Sequence, residues 1–271
     1  MTETVNAMTL SDADFRKISA IAAHEAGLAI PEAKKSLVQS RVARRMRALG
    51  IDSSGAYLDS LEGDADETEN LISALTTNVS HFFREKHHFE FLSEKILNRS
   101  QKGRFRIWSA GCSNGQEPYS LAIQLLKEIP DATKRDILIL ASDIDKTVLA
   151  KAKSGVYDEN EIDGVPLDER SKYFAKTPDG SYEASDDLRT LVRFRQLNLN
   201  SDHWPMRGPF DVIFCRNVVI YFDDVTQTRL WSKFHALLQQ GGHLMLGHSE
   251  RVHPLADSGF EAVGVTTYRK L

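Results

Sequence analysis

A chain of 271 residues with 41% hydrophobic side chains can bury one large core or two smaller ones. Its net charge of −4 argues against a general nucleic-acid binder, and its two distant cysteines, Cys112 and Cys215, argue against a disulfide framework and suit a reducing compartment. The polar start from Met1 to Phe15 lacks a signal-peptide core, and no apolar run approaches the roughly 20 residues that span a bilayer, so any membrane contact is expected through a partner.

The first 80 or so residues read as helical. Ser11 suits an N-cap, with Asp12 and Asp14 in the first turn. Phe15, Ile18 and Ile21 or Ala22 follow at helical spacing. Pro31 suits the start of a second helix and Gly50 its end, with Leu37, Val38, Val42, Met46 and Leu49 as the apolar stripe. Short helices at Ala56–Leu61 and Glu67–Leu75 complete a small bundle. Residues 1–85 are therefore expected to form a helical domain, and 86–103 a linking helix and linker ending at Gln101-Lys102-Gly103.

From Arg104 the pattern changes. Phe105–Trp108, Ile137–Leu140, Asp211–Cys215 and His243–Leu246 are short, mostly apolar runs. Helical stretches at Glu117–Glu128, Lys146–Lys153 and Val225–Gln239 separate them. Such alternation predicts an α/β domain over 104–271 with a doubly wound parallel sheet. Gly155 to Leu191 interrupts it, and Asp179-Gly180 is a hairpin-turn signal.

The turn after the first strand is Ala110-Gly111-Cys112-Ser113-Asn114-Gly115, a G-x-x-x-G spacing and not the G-x-G-x-x-G of dinucleotide binders. On spacing, Glu117 serves equally as a first-turn acid favoured by the helix dipole or as an acceptor for a ligand's amino group. Asp143, ending the second strand, suits either sugar hydroxyls or a helix N-cap, and Asp145 competes for the cap.

Five segments in order carry a resemblance: Asn78-Val79-Ser80-His81-Phe82-Phe83-Arg84-Glu85, Trp108 to Glu117, Ala141 to Asp145, Phe214 to Phe222, and Gly247-His248-Ser249-Glu250. Together they resemble the chemotaxis receptor methyltransferases, the CheR family, over nearly the whole chain. The resemblance implies a Rossmann-like methyltransferase domain with an N-terminal helical domain. It also implies a small antiparallel β subdomain inserted at about 156–195. It implies S-adenosylmethionine as cofactor, S-adenosylhomocysteine as product and no metal. Asn78, Ser80, Arg84, Gly111, Glu117, Asp143, Asn198, Leu199, Arg216 and Asn217 are the implied cofactor residues. Ser80 stands where the family frequently has threonine, and the hydroxyl is kept. Arg84 and Tyr221 are the candidates beside the reacting groups, with ordinary packing as the alternative for Tyr221. The implied reaction methylates glutamate side chains in the cytoplasmic helical domain of chemoreceptors. The protein would then be a cytoplasmic monomer recruited to receptor arrays, with no nucleic-acid partner and no membrane insertion.

Residues 31–50 hold Lys34, Lys35, Arg41, Arg44, Arg45 and Arg47 against one acid, Glu32. Three readings stand: a solvated face, a phosphate stripe, or a docking face for an acidic receptor helix carried by Arg41, Arg44 and Arg45. His81, His87 and His88 suggest a metal only weakly, because adjacent histidines are expected to diverge on a helix. Two other functions compete: methylation of nucleic acid or a small molecule, and a non-catalytic cofactor sensor. No N/D-P-P-Y/F segment is present; Asn217-Val218-Val219-Ile220-Tyr221 stands in the comparable place. Some members of the family tether a receptor's C-terminal peptide through a glycine-rich loop of the β subdomain. Here Phe174 to Tyr182 has one glycine, so no tether is expected.

Overall fold

The computed structural model describes residues 10–97, 103–254 and 258–271. The chain divides into two compact units. One holds the residues up to Thr77 together with Tyr221–Asp223; the other holds Asn78–Ile220 and Asp224–Leu271.

The helical unit contains α1 (Asp12–Ala26), α2 (Lys35–Leu49), α3 (Ser54–Leu61) and α4 (Ala65–Leu75). Ser11 caps α1 by accepting from the Asp14 amide, as its position predicts. Gly50 ends α2 in the left-handed region at φ 68°, where a side chain would be strained. Pro31 precedes only a 3₁₀ turn, Glu32–Lys34, and α2 proper begins at Lys35. Phe15, Ile18, Val38, Val42, Met46, Tyr57 and Leu71 form the core.

Three basic residues of α2 are tied into this unit, and the first, Lys35, pairs with Asp12 of α1. Arg41 donates through Nη1 to the carbonyls of Leu75 (2.6 Å) and Thr76 (2.8 Å), which satisfies the orphaned end of α4. Arg45 forks onto Glu67, with Nε 3.0 Å from Oε1 and Nη2 on Oε2; the Tyr57 hydroxyl donates to Oε1 at 2.8 Å. Glu67 is buried, so its charge depends on these donors. Arg44, Arg47 and Lys34 are exposed.

The second unit is built on β1 (Phe105–Ala110), β2 (Ile137–Asp143), β3 (Val156–Tyr157), β4 (Phe174–Lys176), β5 (Tyr182–Ala184), β6 (Val192–Gln196), β7 (Phe210–Cys215), β8 (Leu238–Leu246), β9 (Phe260–Gly264) and β10 (Thr267–Lys270). Seven of these form one sheet in the order β6-β2-β1-β7-β8-β10-β9. The first five run parallel, as the alternation predicts. The sequence reading lacks the C-terminal hairpin, in which β10 runs antiparallel to both β8 and β9. Helices α6 (Gln116–Glu128), α7 (Lys146–Ser154) and α10 (Asp224–Leu237) make the crossovers. Chain order reverses between β1 and β7, so a crevice is expected at their carboxyl ends. The insertion is a three-stranded antiparallel sheet, β3-β5-β4, with two short helices, α8 (Leu167–Tyr173) and α9 (Asp186–Leu191). Gly180, at φ 88°, makes its predicted hairpin turn.

The division falls at Thr77/Asn78, ahead of the expected 85/86. Phe82 supplies the reason. It is 1% exposed and meets the edges of Tyr157 (5.0 Å) and Phe174 (5.7 Å), so Asn78–Glu85 packs with the α/β unit. The expected linking helix is α5 (His87–Phe91) followed by a π turn at Leu92–Ile96. Phe89, Leu92 and Leu97 belong to the α/β core, so this stretch is no linker; its expected end, with Gln101-Lys102, lies outside the described residues. Among the described residues no helix is long and apolar enough to cross a membrane.

The Glu67 network yields a stability prediction. Glu67→Ala should lower the opening free energy of the α2 and α4 amides by about 2 kcal/mol or more, because it strands a charge-assisted pair and the Tyr57 hydroxyl. Arg44→Ala should change it by less than about 0.5 kcal/mol. Native-state hydrogen exchange measures both, and equal effects would contradict the assignment.

Candidate active site

The candidate site is assembled where β1, β2, β7 and β8 end. Their register aligns these ends: Ala110 lies beside Ser142, and Cys215 beside Leu246. After β1 the chain turns sharply, with Gly111 at φ 81°, Ser113 at φ 47° and Gly115 at φ 87°. A Cβ on Gly111 would collide with the Val218 side chain, and one on Gly115 would lie 2.9 Å from the Tyr157 hydroxyl. Both glycines are therefore required by close approach as well as by backbone angle.

Asp143 holds this turn. Its Oδ2 accepts from the Ser113 amide at 2.8 Å and its Oδ1 from the Asp145 amide at 3.0 Å. Burial raises its pKa above the usual aspartate value, and the Asp145 and Ser113 amides oppose that shift. Asp145 takes the cap of α7, accepting from Thr147 at 2.8 Å, and receives Asn78 Nδ2 at 2.8 Å on its other oxygen. Asn198 and Leu199 follow β6; the Leu197 amide donates to the Asp143 carbonyl at 2.9 Å, which brings them to the same edge. Leu199 is buried and Asn198 is half-buried.

Glu117 is buried in the first turn of α6. Ser109 donates to its Oε1 at 2.7 Å, and Arg216 Nε donates to its Oε2 at 2.7 Å. Arg216 Nη1 donates to the Arg84 carbonyl at 2.5 Å and to His88 Nδ1 at 3.2 Å. The guanidinium also lies 5.6 Å from the ring centres of Phe89 and Phe214. The loop bearing Ser80 and Arg84 thus joins the site through its backbone. Ser80 is half-exposed, and Arg84 Nη1 donates to the Val79 carbonyl at 3.0 Å.

Asn217, at φ 59°, turns the chain after β7. Glu250 fixes that turn. Its carboxylate accepts from the amides of Asn217 (2.9 Å), Val219 (2.8 Å) and Gly247 (2.6 Å). The motif Gly247 to Glu250 does not by itself reveal this role of Glu250, and the roles of Ser109 and Ser113 are likewise not evident from sequence. A small polar residue in an otherwise apolar buried strand is the one signal for Ser109.

Tyr221 groups with the helical unit. Its carbonyl accepts from the Ala29 amide at 2.7 Å, and Lys34 Nζ lies 5.6 Å from its ring centre. Leu28, Ile30, Leu37 and Arg41 line a recess beside it.

The expectation that His87 and His88 diverge is corrected. Their ring centres are 4.1 Å apart, and ligand-capable atoms of Glu85, His87 and His88 lie within 4.8 Å of one another. Glu85, left-handed at φ 55° just before α5, turns its carboxylate back toward the rings. Arg216 Nη1 already stands 3.2 Å from His88 Nδ1 and 3.8 Å from Glu85 Oε2, so a guanidinium supplies the positive charge here.

S-adenosylmethionine carries an α-amino group, a ribose diol and no phosphate. The residues fit it. Buried carboxylates stand at the ends of β1 and β2, and Ser113 Oγ, Gln116 Oε1 and Asn217 Oδ1 are buried without a hydrogen-bond partner among the described residues. This fold and edge chemistry define the class of S-adenosylmethionine-dependent methyltransferases. The chain belongs to the CheR methyltransferase family: the model of the SAM binding domain matches residues 78–269, and that of the all-alpha domain matches residues 13–76. It is 43% identical to a probable chemotaxis protein methyltransferase of Rhizobium etli, over 90% of this chain and 95% of that one. It is 40% identical to the chemotaxis protein methyltransferase of Escherichia coli, over 96% and 92%.

Asp143 sets a pH prediction. With its pKa raised, protonation on acidification removes the acceptor, so cofactor affinity should fall at a pH above the ordinary aspartate range of about 3.9. Asp143→Asn and Glu117→Ala should each weaken S-adenosylhomocysteine binding near neutrality by about 1.5–3 kcal/mol. Asp143→Asn should also shrink the acid limb. Calorimetry at stepped pH measures this, and unchanged affinity in both folded variants would contradict the site.

Proposed function

We propose that this protein transfers a methyl group from S-adenosylmethionine to glutamate γ-carboxylates of chemoreceptors, forming methyl esters in sensory adaptation. The observation that carries this reading is the likeness, over nearly the full chain, to chemotaxis methyltransferases, together with the acid-lined edge. The bound cofactor supplies an electrophilic methyl group. The residues of the chain hold and align. Glu117 accepts from the cofactor's amino group and Asp143 from its ribose. Asn198 and Leu199 cover its base. Gly111, Arg216 and Asn217 form the floor, and Asn78, Ser80 and Arg84 close the site from the preceding loop.

A receptor glutamate, with an ordinary pKa of about 4.3, is already ionised at neutral pH, so the reaction needs no general base. Arg84 cannot act as one, because its guanidinium stays charged. It orients the incoming carboxylate or the cofactor, and the Tyr221 hydroxyl aims the carboxylate. Alignment and the exclusion of water then carry the acceleration. Tyr221→Phe should lower kcat while leaving cofactor affinity unchanged.

Receptor docking is proposed for α2. Arg41 and Arg45, bound within the helical unit, fix the helix that presents Arg44 and its exposed neighbours Lys34 and Arg47. The encounter is electrostatic and therefore salt-sensitive. The β4–β5 turn is closed on itself. Thr177 N–H donates to the Ser181 carbonyl at 2.8 Å, and Gly180 N–H to that of Thr177 at 3.0 Å. The turn amides that a peptide tether would use are thus already engaged.

Incubation with methyl-labelled cofactor and chemoreceptor membranes, acting in place of the cytoplasmic receptor array, is the direct test. The reading expects label on receptors that base releases as methanol. Label confined to RNA or small molecules, or no transfer, would overturn it. Arg44→Glu with Arg47→Glu should slow receptor methylation several-fold at low salt and spare S-adenosylhomocysteine affinity; equal rates would return α2 to a solvated face. A receptor C-terminal peptide should show no micromolar binding at residues 160–195.

A further inference from the structure

His88 is 0% exposed, and its two ring nitrogens face different partners. Nδ1 lies 3.2 Å from Arg216 Nη1, and Nε2 lies 3.0 Å from Thr266 Oγ1. A guanidinium only donates, and Glu85 Oε2, at 3.6 Å from Nδ1, lies beyond hydrogen-bond distance, so Nδ1 is the bare acceptor and Nε2 carries the proton. The proton then goes to Thr266, whose carbonyl accepts from the Leu246 amide at 2.9 Å and is thereby fixed to β8. Burial first, and then the Arg216 charge, push the His88 pKa down to about 3, so the ring stays neutral.

The geometry points to His88 as a positioning residue for the cofactor's amino-acid end: its bare Nδ1 holds Arg216 in the orientation that places Nε on Glu117. The inference rests on the reading that Glu117 is the cofactor's acceptor. The chain of contacts runs from Thr266 through His88 and Arg216 to Glu117. Every link has a defined donor, and each end is anchored to the sheet. Without the imidazole acceptor, Nη1 keeps the Arg84 carbonyl but loses its second acceptor, one of the three that hold the guanidinium beside Glu117. The rings of Phe89 and Phe214 offer it only faces. Packing would be served as well by phenylalanine at 88; a held arginine would not.

Two variants separate these roles. His88→Phe keeps a ring and removes both polar atoms, whereas His88→Asn keeps an acceptor close to the Nδ1 position. S-adenosylhomocysteine binding should weaken about tenfold or more in His88→Phe and stay within about threefold of wild type in His88→Asn, as expected for one hydrogen bond to a charged group. In turnover, the loss in His88→Phe should appear in KM for the cofactor and leave kcat nearly unchanged. The imidazole nitrogen-15 spectrum of the unliganded wild-type protein should show Nδ1 bare and Nε2 protonated, and it serves even where His88→Phe does not fold. Wild-type affinity in His88→Phe, equal losses in both variants, or a protonated Nδ1 would each overturn the inference. Wild-type protein that fails to bind S-adenosylhomocysteine would instead overturn the assignment of Glu117, with the tautomer still measurable.

Discussion

A carboxylate taken out of water must be matched by donors, and this constraint organises the carboxyl edge of the sheet. Among the described residues four acids are buried there, and three of them, Glu117, Asp143 and Glu250, tie strand ends together. Each is matched by groups from a different strand end. Asp143, closing β2, holds the Ser113 amide of the β1 turn. Glu250, beyond β8, holds the turn after β7. Glu117, beyond β1, holds Arg216 from the end of β7. The loops that form the pocket are therefore fixed to one another by charge and not merely to their own strands. Rigid placement of this kind suits a reaction whose demands are alignment and dryness.

The same network sets the local charge. Glu85 and Glu117 share one guanidinium, His88 stays neutral, and Asp143 brings a further carboxylate to the β1 turn, so negative charge is in excess near the end of β1. That excess suits a ligand bearing an ammonium group and a sulfonium. It would not suit a pyrophosphate, which the G-x-x-x-G turn also disfavours. The helical unit uses the same device for another purpose. Glu67, matched by Arg45 and Tyr57, locks α2 against α4 and leaves Arg44 and Arg47 facing outward.

Local chemistry made much of this legible in the sequence. Ser11, Gly50 and Asp145 mark helix ends through side-chain capping or a left-handed angle, which depend on a few adjacent residues. Four of the five parallel strands contain apolar runs, whereas β6 carries Arg193, Arg195 and Gln196, and Asp179-Gly180 announces its turn. Contacts distant in sequence were not legible. Arg45 and Arg41 read as free docking charges because their partners on and after α4 are 22 to 36 positions away. The division falls earlier than the local pattern suggests because nothing adjacent to Phe82 shows that it packs on Tyr157 and Phe174. The β9–β10 hairpin has a Val265-Thr266 turn without glycine, asparagine or aspartate, and the left-handed Thr266 gives no sequence signal. Of the cofactor candidates, Gly111, Glu117, Asp143, Arg216 and Asn217 all lie at the ends of β1, β2 and β7. The hydrogen bonds that orient them come from residues the motifs pass over.

We propose that Glu117 and Arg216 act as one unit in holding the cofactor. A double-mutant cycle with Glu117→Gln and Arg216→Met, read by calorimetric titration of S-adenosylhomocysteine, tests it most directly. Each single change should weaken binding and the double variant should be little worse than the poorer single, a coupling of about 1.5 kcal/mol or more. Losses that add to within about 0.5 kcal/mol would contradict it.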